Sequence, residues 1–366
     1  MILVNDPGSW SHIYPPLEHA QWNGWTPTDL IFPFFLFIAG ISMTLSFAAR
    51  LQRGQSPRQL SWHVLRRSTL IFAIGLFLNG FPDFDLHTIR IPGVLQRIAV
   101  CYLIAGCLYL WLQRPAAAPA THSDTAKTRT IIASVAAGLL LGYWALMTLV
   151  PVPGAGAGHL TPQDNLGAYV DRMVLHDHLW SESKTWDPEG LLSTLPAIAT
   201  VLLGILTGDW LRRRKANARG VAELLGWGCA LLLAGALWGR SFPINKNLWT
   251  SSFVLFTAGA ALLVFALCYW TMDMRGWRSL AAPLLPFGTN AIFAYALAAI
   301  VSEVSTDFEF SFSDGREQTL HGWIYQRWFV PHASANNASL AFGLFFVLCI
   351  FVCVWPLYRR KIFIRL

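Results

Sequence analysis

His19 is the side chain in this sequence best suited to acid–base chemistry. It lies in the stretch LEHAQWNGWTPTDLIFPFFLFIAG, residues 17–40. There a polar, aromatic segment with Trp22, Asn23 and Trp25 runs into an apolar helix, and Asp29 sits at the junction. An imidazole gains and loses protons readily near neutral pH. Held at a membrane surface by the Trp and Asn side chains, it points to chemistry at the mouth of a transmembrane bundle. Asp29 has two readings. Three residues after Thr26, it completes a capping box at a helix N-terminus. Alternatively its carboxylate orients His19 or pairs with a buried arginine.

Other ionisable and amide groups fall where an apolar chain should not carry them, and such groups mark function by default. In RIPGVLQRIAV, Pro92 suits the first turn of a helix, so Arg97 lies more than one turn inside. Arg90, seven residues earlier, is expected on the same face. Snorkelling to the interface is one explanation for Arg97. The preferred one turns it inward onto a carboxylate, Asp29 or Glu303. Asn245, Lys246 and Asn247 open another span in FPINKNLW. Asn favours a helix start, but Lys opposes the dipole there, which points to contact with an anionic or polyhydroxyl ligand. Asp187 and Glu189, in WDPEG, suit a helix start and would also suit a site for a cationic amine. With His19, these groups converge on the outer ends of helices, the default arrangement of an active site. The remaining histidines lie in loops or near helix ends and receive no role. His176, Asp177 and His178 lack the further ligands of a metal site, so no metal is assigned. No Walker, GxGxxG or GxSxG motif is present.

The elements that must position these groups are membrane helices. Of 366 residues, 54% are hydrophobic and 13% charged, with mean hydropathy +0.45. A soluble domain carries about 25% charged residues. The expected fold is all-α, a polytopic transmembrane bundle forming one domain over 1–366. Apolar windows of spanning length fall at 27–49, 64–81, 92–113, 130–150, 190–211, 221–239, 249–271, 282–302 and 338–358. A stub at 1–5 reads as the end of a truncated first span, making about ten. The active-site segment is 5–29. All six cysteines lie in apolar runs and read as small core residues.

The net charge is +7, and its distribution says more than its sum. Arg50, Arg53, Arg58, Arg66 and Arg67 crowd the first connection. Arg114, Lys127 and Arg129 flank a flexible linker at 114–129. Arg212, Arg213, Arg214, Lys215 and Arg219 fill the fifth connection, Arg275 and Arg278 the seventh, and Arg359, Arg360, Lys361 and Arg365 the tail. The alternate loops are poorer in Lys and Arg. The basic set therefore faces the cytoplasm, and His19 and the long loops 151–189 and 303–337 face outward. Short basic loops between apolar spans exclude a nucleic-acid surface. Lipid-facing and partner-facing surfaces look alike, which leaves a homodimer open.

At these residues the sequence resembles the heparan-α-glucosaminide N-acetyltransferase family. The resemblance is carried by HAQWNGWTPTDLIFPFFLFIAG, RIPGVLQR at 90–97, PVPG at 151–154, DPEGLL at 187–192, PINKNLW at 243–249 and YRRKIF at 358–363. It implies transfer of an acetyl group from cytoplasmic acetyl-CoA to the amine of a glucosamine-type sugar on the outer side. His19 corresponds to the family's catalytic histidine and Asn5 to its nearby active-site asparagine. His19 would act as general base or as acetyl carrier. Asn5 would donate to the oxyanion, and Asp29 would complete the catalytic set. Trp22, Asn23, Arg97, Asp187, Glu189, Asn245 and Lys246 are the expected acceptor contacts. Arg67, Arg359, Arg360 and Lys361 are expected at the CoA phosphates, with Asn290 lining the channel for the pantetheine arm. The chain lacks the long N-terminal region and loop cysteines of the lysosomal enzyme. That fits a bacterial inner-membrane protein with His19 in the periplasm. A solute transporter using the same cavity and a sugar O-acyltransferase are the alternative readings.

Overall fold

The computed structural model describes every residue except 114–121, 214–216, 312–316 and 365–366, and, for 122–125, the backbone alone. The first half of the expected linker, and Arg114, Arg214, Lys215 and Arg365, lie outside the described residues. The described chain is α-helical apart from one short hairpin. Its helices are α1 (Ile2–Asn5), α2 (Ile31–Gln52), α3 (Pro57–Gly80), α4 (Val94–Leu112), α5 (His122–Leu149), α6 (Leu166–Leu175), α7 (Thr194–Leu211), α8 (Ala218–Trp238), α9 (Ser251–Cys268), α10 (Leu285–Thr289), α11 (Ala291–Asp307), α12 (Leu320–Trp328) and α13 (Ala335–Arg359). The hairpin pairs β1 (Glu309–Ser311) with β2 (Glu317–Thr319) in antiparallel register.

Seven helices among the described residues are long and apolar enough to cross a membrane: α2 with its leading turn, α4, α5, α7, α8, α9 with its extension, and α13. The expectation of about ten spans is not reproduced at that standard. The window 64–81 belongs to α3, a continuous helix of 24 residues. It starts earlier than expected, at a Ser56–Gln59 capping box, and its first half carries Arg58, His63, Arg66 and Arg67. The window 282–302 is broken at Asn290 between α10 and α11. Residues 1–5 hold a single turn, α1, packed on α13. The linker reading fails at its second half, because α5 already starts at His122. Arg129 is tied there to Asp209 of α7 at 2.7 Å, which anchors the basic turn.

Four helices form the centre. α2, α4, α7 and α9 bury most of their apolar residues, whereas α5, α8 and α13 are mainly exposed and present the lipid-facing surface. Close backbone approach fixes the central pair α2–α7. A Cβ on Gly40 would stand 2.2 Å from the Val201 carbonyl, and one on Gly204 would stand 2.0 Å from that of Phe37. Only glycine permits that contact, the usual device where no hydrophobic drive separates helix from lipid. Phe32, Leu36 and Met43 of α2 then pack with Leu60 and Val64 of α3, Ile98 and Ala99 of α4, Leu202 of α7 and Phe253 of α9.

α2 carries a polar group at each of its ends. Thr26 and Asp29 form the capping box that starts the Pro27–Leu30 turn, with Pro27 in its first positions. The other end is the basic turn at Arg50 to Arg53. At 1.5 Å per residue the two ends lie about 30 Å apart, the thickness of a bilayer's hydrocarbon core.

Candidate active site

Both readings of Asp29 hold, because a carboxylate has two oxygens. Oδ2 accepts from the backbone amides of Ala20 at 3.1 Å and Thr26 at 3.0 Å. Oδ1 lies 2.7 Å from His19 Nδ1. Asp29 is 1% exposed, while the His19 side chain is 45% exposed. An ionised carboxylate only accepts, so Nδ1 carries the ring proton and Nε2 presents its lone pair outward. The pair is a buried carboxylate holding an accessible imidazole.

Lys246 completes this cluster from the loop before α9. Its Nζ lies 3.0 Å from His19 Nδ1, 3.2 Å from Nε2 and 3.7 Å from Asp29 Oδ1. Burial holds its ammonium below the ordinary lysine range, against the pull of Asp29 and Glu189. The loop is fixed by Asn245, which is fully buried. Its Oδ1 accepts from the Leu248 amide at 2.8 Å, and its Nδ2 donates to Asn23 Oδ1 at 3.2 Å. Asn245 does not cap the helix as expected, because the N-cap of α9 is Thr250; it closes the turn ahead of the helix and links this loop to the His19 segment. Trp22 donates from Nε1 to the Leu160 carbonyl at 2.8 Å and meets Trp186 edge-on at 5.0 Å. Trp186 in turn meets Trp180 at 5.6 Å, so an aromatic wall stands beside His19's segment. Asn23 is exposed.

Arg97 differs from its expectation. It forms no ion pair with Asp29 or Glu303. Both Asp29 oxygens are engaged as above, and Glu303 is exposed on α11. Arg97 instead donates to Ser193 Oγ and to the Gly190 carbonyl, and its guanidinium lies over the Trp249 ring at 5.0 Å. Its Nε and Nη1 are buried without a hydrogen-bond partner. The arginine that does pair with carboxylates is Arg90. It grips Asp187 through two bonds of 2.7 and 2.8 Å and reaches Glu189 at 2.6 Å. Arg90 precedes α4, so helical spacing does not relate it to Arg97. The two acids, expected to meet a cationic amine, are engaged by this guanidinium. Asp187 is closed off entirely, at 4% exposed. Together they strap the loop ahead of α4 to the loop ahead of α7.

A cavity of about 530 Å³ opens from the other end of α2. Arg50, Arg53, His63 and Arg67 line it at the basic end, and Phe35, Ile98 and Tyr102 line it deeper in the bundle. Phe35 and Arg50 mark about 22 Å of helix. Burial first, then Arg50, Arg67 and Arg66, push the His63 imidazole below its ordinary range. The three guanidiniums make that mouth positive. Arg67 stacks over Tyr102 at 4.9 Å and lines the cavity. Asn290 also lines it, but its amide is engaged. Nδ2 donates to the Ile362 carbonyl at 3.2 Å and Oδ1 accepts from the Ile364 amide at 2.8 Å. Asn290 therefore clamps the tail across the mouth. Arg359, Arg360 and Lys361 are exposed and outside the lining, with Arg359 stacked on Trp355 at 5.2 Å. Between the deep end at Phe35 and the level of Asp29 lies about 9 Å of helix. Phe32 fills it, meeting Trp249 edge-on at 5.0 Å, with Arg97 over the far side of that contact.

Asn5 is exposed at the end of α1, and its side chain makes no hydrogen bond among the described residues. Among the described residues no hydrogen bond or ion pair joins it to His19. Sequence reasoning passed over Ser193, Trp249 and the Ser42–Ser46–Arg50 stripe of the cavity wall. The stripe had a signal, since residues four apart on a helix share a face.

The chain is similar to known proteins over nearly its whole length. Residues 10–147 match the family model described as heparan-alpha-glucosaminide N-acetyltransferase, catalytic. The heparan-alpha-glucosaminide N-acetyltransferase of Homo sapiens is 31% identical over 404 aligned residues, covering 99% of this chain and 57% of that protein. That of Mus musculus is 30% identical over 362 residues, covering 88% and 54%. The chain spans a little over half the length of these curated relatives.

Proposed function

We propose, from the kinship of nearly the whole chain with the heparan-alpha-glucosaminide N-acetyltransferases, that it is an integral membrane acetyltransferase. It moves an acetyl group from acetyl-CoA on the cytoplasmic side to the amine of a glucosamine-type sugar on the opposite side. One observation carries this reading. A buried carboxylate orients an accessible imidazole at one end of α2, and a deep cavity with a basic mouth opens at the other end. The positive-inside pattern supports the orientation, with Arg50 and Arg53 cytoplasmic and His19 outside. For a bacterial chain the outer side is the periplasm.

Acetyl-CoA fits the cavity by chemistry. Its phosphates suit the mouth at Arg50, Arg53 and Arg67, where guanidinium forks match phosphate oxygens. Its slender arm suits the mixed polar and apolar wall along Ser42, Ser46 and Ile98. Arg359, Arg360 and Lys361 would add long-range attraction rather than contacts. The acetyl end then lies beneath Phe32 and Trp249. Arg97, next to Ile98, has two nitrogens without a partner, Nε and Nη1, and is proposed to hold the thioester oxygen. Asn5 keeps the oxyanion role implied by the resemblance only if α1 and the His19 segment approach each other during turnover. The sugar is proposed to lie against Trp22 and Asn23, where an aromatic face suits a pyranose ring. Glu189, facing Lys246, adds negative potential for an amine. His19 Nε2 takes the amine proton, or carries the acetyl group itself.

Filling the cavity tests the route. Ser42→Trp places an indole on the cavity wall and is expected to lower transfer on the order of 10²-fold by displacing the thioester. Acetyl-CoA binding to the purified protein should weaken in parallel. Unchanged acetyl-CoA binding would show that the donor sits elsewhere. Arg50→Glu is expected to raise KM for acetyl-CoA about tenfold, one charge-assisted contact of about 1.4 kcal/mol, with kcat little changed. An unchanged KM would move the phosphates away from Arg50. The overall reading is tested with membranes, labelled acetyl-CoA and glucosamine. Label in N-acetylglucosamine is expected. Label only in an ester, or sugar uptake without label, would replace it with O-acylation or transport.

A further inference from the structure

An ammonium already stands where an acceptor amine would have to react. Lys246 Nζ is within 3.2 Å of both ring nitrogens of His19 and 3.7 Å from Asp29 Oδ1. Because Asp29 holds the Nδ1 proton, the only lone pair left for proton transfer is on Nε2. Lys246 covers it. A second ammonium approaching His19 and Asp29 meets a like charge while Nζ remains. The backbone at this point is fixed by Asn245, but the side chain is a flexible four-carbon stem, 19% exposed. The charged and titratable groups facing Nζ are His19 and Asp29 from the outer segment, Glu189 from the loop before α7 and Arg97 from α4.

We infer that Lys246 is a resident occupant of the acceptor's amine subsite, displaced by the primary ammonium of the incoming sugar. The inference rests on the acetyltransferase reading and deepens it. Exchange of one ammonium for another leaves Asp29 compensated throughout. A sugar hydroxyl in that place would leave the buried carboxylate without its cation, so the exchange selects amines over alcohols. The acetylated product carries a neutral amide. It cannot compensate Asp29, so Lys246 returns and expels it. Lys246 thereby acts as a specificity and release device rather than as a grip on sugar hydroxyls.

The sign of one substitution separates these roles. Full-length protein is titrated with glucosamine without acetyl-CoA, and KM for glucosamine is measured separately at saturating acetyl-CoA. Lys246→Met empties the subsite. If Lys246 fills it about nine-tenths of the time, affinity for glucosamine should rise about tenfold, because apparent affinity scales with the competent fraction. Lys246→Arg keeps a bulkier cation in place and should raise KM. Opposite shifts from the two variants are not produced by a general loss of folding. N-acetylglucosamine should bind the Met variant more tightly than wild type. A higher Kd and KM for glucosamine in Lys246→Met, with acetyl-CoA binding intact, overturns the inference. Where the Met variant loses acetyl-CoA binding, Lys246→Gln is read instead with the same expected sign. Wild-type protein that transfers nothing to glucosamine overturns the acetyltransferase reading itself. Wild-type transfer with the wrong sign in the variants overturns only the displacement.

Discussion

His19→Ala is expected to abolish acetyl transfer from a protein that still folds and still binds acetyl-CoA. The base is removed, and a positioned base contributes about 10²- to 10⁴-fold. If His19 carries the acetyl group, the loss is larger. Folding should survive because the ring is 45% exposed and packs little apolar surface. Asp29 keeps its bonds from Ala20 and Thr26 and keeps Lys246 nearby. The measurement is turnover with glucosamine, with helical circular dichroism and acetyl-CoA binding as folding controls. Turnover within a few-fold of wild type would remove His19 from the mechanism.

Asp29→Asn is expected to lower kcat by between about 10² and 10⁴-fold, the upper figure being the loss when a catalytic histidine is left in the wrong tautomer. The amide is the same size and still offers an oxygen to Ala20 and Thr26. It no longer offers a second acceptor-only oxygen to Nδ1. The ring is then free to carry its proton on Nε2, where the lone pair is needed. The same substitution leaves the half-buried Lys246 without its nearest carboxylate. KM for acetyl-CoA should be unaffected, because Asp29 stands at the far end of α2 from the basic mouth. A kcat within twofold of wild type would show that Asp29 serves the helix start alone.

Particular residues show what the sequence made legible. The join at Thr26–Asp29 announces a helix start and an acid near a histidine, and both are local relationships across about ten residues. Hydropathy located the helices that satisfy a span, since lipid constrains composition directly. The spans expected at 64–81 and 282–302 do not meet that standard, for opposite reasons. α3 is a full helix whose first half sets His63 and Arg67 at the cavity mouth, and Asn290 interrupts an apolar run to clamp the tail. Neither is visible from average apolarity. Arg97 and Arg90 are the clearest misreading. Their spacing of seven suggests one helical face, but α4 starts between them. Their partners, Ser193 and Asp187, lie more than ninety residues away, so only packing selects them. Asn5 stands on the resemblance alone, because no contact among the described residues brings it to His19.

The central claim is that donor and acceptor meet from opposite sides of one bilayer. Protein reconstituted in sealed vesicles, with orientation scored by protease access to the 151–189 loop, tests it most directly. Labelled acetyl-CoA is supplied only on the face bearing Arg50, and glucosamine only on the face bearing His19. The expected result is labelled N-acetylglucosamine in the glucosamine compartment, and none when the two substrates are exchanged between compartments. Product formed only when both substrates share one compartment would contradict it.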